Sequence, residues 1–297
     1  MTDGADRKRR QPIGDGLSLA YLEEGDGPTV VLLHGNPTSS YLWRHTIPPL
    51  VAAGYRCVAP DLLGMGDSDR LADPGPGSYR FAAHAEALDA FLAAQVPAEG
   101  AALVLHDWGS GLGFDWARRH PDQVRAIAYT EAIVTPVTWD DWPDAARGIF
   151  QAMRSEAGEE LVLDKNVFVE RILPASVVHP LAEQDLDEYR RPFAEPGEGR
   201  RPTLTWPREL PIEGEPADVH ERVVAYADWL ASEASPPKLF LDADPGSILI
   251  GRQREVCRAW PHQREVTVTG SHFVPEDAGR DIGQHVATFL GEVWPAP

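Results

Sequence analysis

The sequence predicts an α/β architecture: a mostly parallel central sheet covered by helices on both faces, with a helical cap inserted into it. Short apolar runs alternate with stretches of helical spacing, and strands that alternate with helices build parallel sheets buried on both faces. The alternation stops near residue 134 and returns near residue 217, so one long insertion interrupts a single sheet. The economical division is a core of residues 12–133 and 217–297 carrying a cap of residues 134–216.

Residues 17–23 alternate in polarity and meet residues 29–33 across Gly25-Asp26-Gly27, which predicts a hairpin and an antiparallel start to the sheet. Apolar runs at 30–33, 57–59, 101–105 and 126–129 follow, each ending in a Gly- or Pro-containing turn or a polar bend. Phe81, Ala85, Leu88 and Leu92 recur at helical spacing, and residues 112–120 read as a helix opened by a glycine-rich turn. From 134 to 216 no strand pattern stands out, and Pro, Trp and charged residues are dense. Strand and helix patterns resume at 238–241, 248–260, 266–268 and 282–293. No internal repeat or low-complexity segment is visible.

The 297 residues carry a formal charge of -19, which disfavours nucleic acid and anionic membrane as partners because both repel a polyanion. The basic cluster Arg7-Lys8-Arg9-Arg10 is closed by Gln11 and Pro12, is followed by no apolar signal segment, and reads as a solvated tail. No window approaches the ~18 consecutive apolar residues of a membrane span. Cys57 and Cys257 stand outside any CxxC or metal-ligand spacing, so reduced thiols and a cytoplasmic location are expected.

The chemistry concentrates in LVLHDWGSG (residues 103–111), a buried strand that ends on an aspartate. A charged side chain directly after an apolar strand is costly unless something pairs with it or uses it. Asp107 could cap the helix that follows. Three further polar groups also sit at carboxyl ends of predicted strands, where open α/β sheets gather ligands: His34-Gly35-Asn36-Pro37, Glu131 and His272. Gly35 would let the loop turn tightly with its N–H groups directed into the site. The order Asp107, Glu131, His272 is the nucleophile, acid, histidine order of the α/β-hydrolase fold, with aspartate where serine usually stands. Ser110 is out of register for that elbow, since Trp108 occupies the position of its first glycine. A dinucleotide loop fails at Phe114, and a zinc-deaminase reading of His84-Ala85-Glu86 lacks its cysteine partner motif.

A carboxylate is ionised near neutral pH and attacks carbon without a general base, leaving an ester. Releasing that ester needs water activated by a neutral imidazole, which wants a carboxylate to fix its tautomer; His272 and Glu131 suit those roles. Backbone N–H groups of Asn36 and Trp108 are the natural donors for the tetrahedral intermediate. Their side chains are neutral donors suited to a departing anion in a dry pocket. Trp108 alone would read as a core aromatic, and His34 and His106 as packing or supporting groups.

HGNPTSSYLWR (34–44), PDLLGMGDSD (60–69) and HDWGSGLGFDWARRHP (106–121) resemble the haloalkane dehalogenases, and the resemblance runs from about residue 17 to 294. It implies displacement of halide by Asp107, halide held by Asn36 and Trp108, and a base and acid in His272 and Glu131. Asp244, in LDADP (241–245), is the alternative acid, taken from the position a second subgroup uses. By the same resemblance Phe150, Phe168, Leu210 and Ile248 line an apolar pocket, with Ile172 and Ser176 nearer its mouth. It implies no metal or cofactor, a small halogenated alkane as substrate, halide as product, and a monomer or small homo-oligomer. Two other readings stand beside it. An epoxide hydrolase would share Asp107 and His272 but needs a proton donor, for which the cap and its flank offer Tyr189 and Tyr226. A hydrolase-fold binding protein would be expected to have lost the nucleophile or the histidine.

Overall fold

The computed structural model describes residues 8–296. The chain runs β1 (Arg9–Gly14), β2 (Leu17–Glu24), β3 (Thr29–Leu33), α1 (Ile47–Ala52), β4 (Arg56–Pro60), α2 (Phe81–Gln95), β5 (Ala101–Asp107), α3 (Trp108–Arg119) and β6 (Val124–Ala132). It continues through α4 (Asp144–Arg154), α5 (Leu173–Ala175), α6 (Glu183–Arg190), α7 (Arg201–Glu209) and α8 (Ala217–Leu230). It closes with β7 (Lys238–Pro245), α9 (Gly251–Arg258), β8 (Gln263–Gly270) and α10 (Val274–Val293).

The strands form one eight-stranded sheet in the order β1-β2-β4-β3-β5-β6-β7-β8. The β1/β2 and β2/β4 pairs are antiparallel and all others parallel. Successive residues of each central strand feed opposite faces. Val31, Leu33, Leu103, Leu105, Ile127 and Tyr129 join one core, while Val30, Leu32, Ala102, Val104, Ala126 and Ala128 join the other. That double burial is why these strands read as continuous apolar runs rather than as alternating ones.

Two expectations about the N-terminal region do not hold. β2 and β3 form no hairpin, because β4 lies between them, pairing Tyr21 with Pro60 on one side and Val30 with Cys57 on the other. The linker is held open: an added Cβ at Gly25 or Gly27 would lie 2.3 Å from the Tyr55 carbonyl oxygen or 2.2 Å from that of Gly54. Arg56 at the start of β4 spans the gap, its side chain reaching Glu23 at 2.7 Å and Thr29 at 3.1 Å. The same Gly-Asp-Gly triplet occurs at 14–16, and there it does join a hairpin, β1 with β2. The basic cluster is likewise more than a solvated tail. The Lys8 ammonium is buried between Asp61 at 2.7 Å and Asp67 at 2.6 Å, and Arg9 and Arg10 open β1 with ion pairs to Glu23 and Asp69. Arg7 lies outside the described residues.

Between β6 and α8 the chain leaves the sheet and returns to the same place, with Val137 bridged to Ile212 and Glu213 N–H donating to the Val137 carbonyl at 3.0 Å. The excursion is helical but irregular, with π-helical turns at Glu159–Asp164 and Phe168–Ile172 beside short α-helices. Arg200 is a buried fastener within it, donating to the carbonyls of Phe193, Leu163, Asp164 and Ala194. No helix among the described residues is long and apolar enough to cross a membrane.

Candidate active site

Strand β5 ends at Asp107, which turns directly into α3 with φ 48° and ψ −128°. A left-handed backbone at a non-glycine residue is strained and persists only where its surroundings hold it. Asp107 occupies the N-cap position but makes no side-chain cap hydrogen bond, so the capping role does not account for it. Two close approaches set the turn. A Cβ on Gly109 would lie 2.2 Å from the Leu33 carbonyl oxygen, and one on Gly35 would lie 2.0 Å from Asp107 Oδ1. Gly35 is therefore required for the room it leaves the carboxylate rather than for an unusual φ.

Asp107 Oδ1 accepts the Asn36 backbone N–H at 2.7 Å, and the adjacent Trp108 backbone N–H helps favour the charged carboxylate. Oδ2 faces His272 Nε2 at 3.5 Å. On the far side of the ring, His272 Nδ1 is 3.1 Å from Glu131 Oε2. Glu131, at the end of β6, repeats the strained backbone with φ 42°. Its carboxylate is buried and ringed by backbone donors: Ser247 N–H at 3.1 Å, Ile248 N–H at 2.8 Å and Leu249 N–H at 3.3 Å. Such a ring of donors satisfies the acceptors of a buried carboxyl group. Asp244 is exposed near the end of β7, whereas the imidazole nitrogen that needs an acid already faces Glu131.

Burial raises the proton affinity of Asp107, but its hydrogen bond and charge interaction with His272 prevail and hold the carboxyl below the usual range. For His272, burial alone would lower the pKa; hydrogen bonds to Asp107 and Glu131 outweigh it and hold the imidazole at about 9. The two other histidines near the site remain neutral, since burial pushes His34 and His106 down to about 4. Each orders a loop. His34 Nε2 accepts Leu62 N–H at 2.9 Å, and His106 Nε2 lies 2.7 Å from the His272 carbonyl oxygen.

Above the carboxylate lies a cavity of about 460 Å3. Asn36 and Trp108 line its floor beside Asp107 and His272. One amide hydrogen of Asn36 Nδ2 reaches the Thr203 carbonyl at 3.3 Å, which orients the amide and leaves the second hydrogen free. The Trp108 indole is fixed by stacking on Trp206 of the cap, 4.6 Å between centroids at 25°, and by the edge of Phe81 at 5.9 Å. The walls include Phe150, Phe168, Ile172, Ser176, Leu210 and Ile248, which are the pocket residues expected from the resemblance. Sequence reasoning missed Trp142, Ile149, Val167 and Pro207, which share the wall, and the Ser247–Leu249 backbone that solvates Glu131. The apolar character of Trp142, Ile149 and Val167 marks them as candidates for burial, but nothing in residue type shows that they border a cavity.

Comparisons with known proteins show the family and the fold. A family model for the alpha/beta hydrolase fold matches residues 28–278. A haloalkane dehalogenase of Sphingobium indicum is 52% identical over 281 residues, covering 95% of this chain and 94% of the relative. The crystal structure of haloalkane dehalogenase DbeA from Bradyrhizobium elkani superposes with a TM-score of 0.89 at 39% identity, covering 96% of this chain and 98% of that one. A coelenterazine h 2-monooxygenase of Renilla reniformis is 39% identical over 266 residues, covering 89% of this chain and 84% of the relative. The chain belongs to the haloalkane dehalogenase family of α/β hydrolases.

Proposed function

We propose that the protein hydrolyses carbon–halogen bonds in small halogenated alkanes, with Asp107 as nucleophile, His272 as base, Glu131 as its acid partner, and Asn36 and Trp108 as the halide cradle. The observation that supports this most directly is the floor of the cavity. One carboxylate oxygen, Asp107 Oδ2, faces the His272 imidazole, and the carboxylate stands beside two neutral side-chain donors at the base of an apolar chamber.

Oδ2 attacks the halogen-bearing carbon, the C–O bond forms as the carbon–halogen bond breaks, and halide leaves toward the indole and amide hydrogens. Neutral donors bind an anion there without a fixed cation that would have to be buried beside it. Ester formation removes the negative charge from Asp107, and with it part of what holds His272 at about 9, so the imidazole becomes a base as the ester appears. Water gives its proton to His272 Nε2 and attacks the ester carbon, while Oδ1 carries the developing charge into the Asn36 and Trp108 backbone N–H groups. On collapse the second water proton passes to the departing alkoxide, which leaves as alcohol; the carboxylate and the imidazolium are restored, and the proton His272 shed on becoming a base passes to solvent with the halide.

The epoxide reading lacks its proton donors. Tyr189 hydroxyl is bonded to Glu276, Tyr226 hydroxyl donates to the Ile133 carbonyl at 2.6 Å, and neither tyrosine lines the cavity. Halide release and diol formation, followed in parallel on bromoalkanes and epoxides of graded length, test the choice. Halide release, continuing without oxygen, with heavy oxygen from labelled water appearing in Asp107 after one turnover, is the expected result. Diol without halide, or an unlabelled Asp107, would overturn it.

A further inference from the structure

The first turn of α10 carries two adjacent carboxylates, Glu276 and Asp277, and each reaches across the boundary between sheet core and cap. An acidic residue there ordinarily serves its own helix. The recorded donors to Asp277 all come from outside it. Its carboxylate, 1% exposed, accepts Val178 N–H at 2.9 and 3.0 Å and His179 N–H at 3.0 Å from the cap. Its Oδ2 also accepts Ser271 N–H at 3.2 Å, one residue before His272. One residue after His272, Phe273 N–H donates to the Ser176 carbonyl at 3.1 Å. Ser176, Ser271 and His272 all line the cavity. The Ser176–His179 segment, which the family resemblance sets near the cavity mouth, and the loop bearing the imidazole are thus strapped together on both sides of His272. Glu276 anchors the same corner through a two-point pair with Arg44 at 2.6 Å and the Tyr189 hydroxyl of α6.

We propose that Asp277 is a positioning residue that sets the mouth of the cavity and the placement of His272 together, so that substrate selection at the mouth and ester hydrolysis at the floor are coupled through one carboxylate. The inference rests on the reading of His272 as base. Asp107 lies outside the strap, so the attack step should not depend on it.

Chemistry supplies a discriminating variant. Asp277 Oδ1 serves the cap side and Oδ2 serves both Val178 and Ser271. In Asp277→Asn only one oxygen remains, and the amide NH2 must confront either the Val178 and His179 N–H groups at the Oδ1 place or the Val178 and Ser271 N–H groups at the Oδ2 place, so the four-bond strap cannot stay intact. Asp277→Glu keeps two acceptors and should partly restore the coupling. On a bromoalkane, Asp277→Asn should release the first equivalent of halide at the wild-type rate but hydrolyse the ester about tenfold to a hundredfold more slowly, the scale expected of a small misplacement. Its discrimination between straight and branched substrates should narrow, and amide exchange at 176–179 and 270–273 should rise together. If the exchange of only one segment rises, or both kinetic steps keep wild-type values in a folded Asp277→Asn enzyme, the proposal is wrong. A loss of thermal stability with unchanged step rates also refutes it. Should the wild type release no halide at all, the reading of the reaction falls, and amide exchange alone still decides whether Asp277 couples the two segments.

Discussion

The floor and the walls of the cavity are built on opposite principles. On the floor, side chains stand on strand ends with the backbone forced to φ 48° at Asp107 and φ 42° at Glu131, and nearly every oxygen has an assigned donor. On the walls, the cap presents apolar groups from short α-helices and π-helical turns, fixed by ring contacts such as Phe150 to Phe168 at 6.1 Å and Trp142 to Phe150 at 4.9 Å. Floor geometry is set by hydrogen-bonded backbone and tolerates little change; wall geometry is set by volume and can be adjusted. Changes to the floor should therefore alter whether the reaction proceeds, and changes to the walls should alter what it acts on.

The sharpest way to break that contrast is to remove the carboxylate. Asp107→Ala should abolish halide release by about 10^4-fold or more, as loss of a nucleophile does elsewhere. Retention of turnover would deny the floor its role. His272→Phe should separate the two halves of the reaction: one equivalent of halide released, then a stable ester visible as an alkyl mass increment on the protein. Glu131→Gln preserves the shape but replaces the acceptor facing Nδ1, and a fall of about 10^3 to 10^4 in turnover is expected from the mis-set imidazole. Each is checked by halide release under single- and multiple-turnover conditions.

Acid should divide the same two steps. Attack needs only an ionised Asp107, whose carboxyl is held below the usual carboxylate range, so the first equivalent of halide should appear undiminished at mildly acidic pH. Hydrolysis needs a neutral His272. The value of about 9 belongs to the resting pair, where protonation is favoured by the Asp107 charge. In the ester that charge is gone and the value falls, while the hydrogen bond to Glu131 still favours the protonated ring. As pH falls, multiple turnover should fail while the burst persists, and mass spectrometry of acid-quenched enzyme should find the ester accumulating. Parallel loss of both steps would contradict the assignment.

How much of this was legible in the sequence differs between the same two regions. The floor residues follow apolar strands directly, so a run such as residues 101–105 ending in His106 and Asp107 announced its own chemistry, as did Glu131 after the next strand. What the residues could not reveal was pairing. Two Gly-Asp-Gly triplets look alike, and only the sheet order shows that the one at 14–16 closes a hairpin while the one at 25–27 makes way for β4. The cap was illegible as structure, because π-helical turns break the 3.6-residue period and α7 carries an internal proline, Pro207. Its pocket residues were reached through family resemblance, since a buried Phe168 looks the same in sequence whether it faces a cavity or a neighbouring helix. The strap at Asp277 was invisible for a further reason: its donors are backbone N–H groups, which leave no mark on residue type.

The halide cradle stands between the two regions, since Trp108 belongs to the floor but is stacked on Trp206 of the cap. Trp108→Phe keeps most of that stacking and removes one N–H donor. Its expected effect is about 10^2-fold on halide release, the scale of losing a single preorganised donor. The loss should be similar for every alkyl chain, because the donor addresses the leaving group alone.

Phe168→Leu is expected to have the smallest effect and to be the most selective. The side chain is 5% exposed and meets Phe150 edge to face at 82°, so shortening it widens the chamber without touching the floor. One methylene or ring fragment in an apolar pocket changes discrimination by about 1 to 3 kcal/mol. The ratio of kcat/KM for a longer or branched bromoalkane over a short one should therefore rise about tenfold. The rate constant for hydrolysing the ester of the short substrate should stay at its wild-type value, because, among the described residues, no hydrogen bond or ring contact of Phe168 reaches His272 or Glu131. If that rate constant fell together with the specificity ratio, the walls would be shaping the chemistry as well as the choice of substrate, and the division between the two regions would have to be withdrawn.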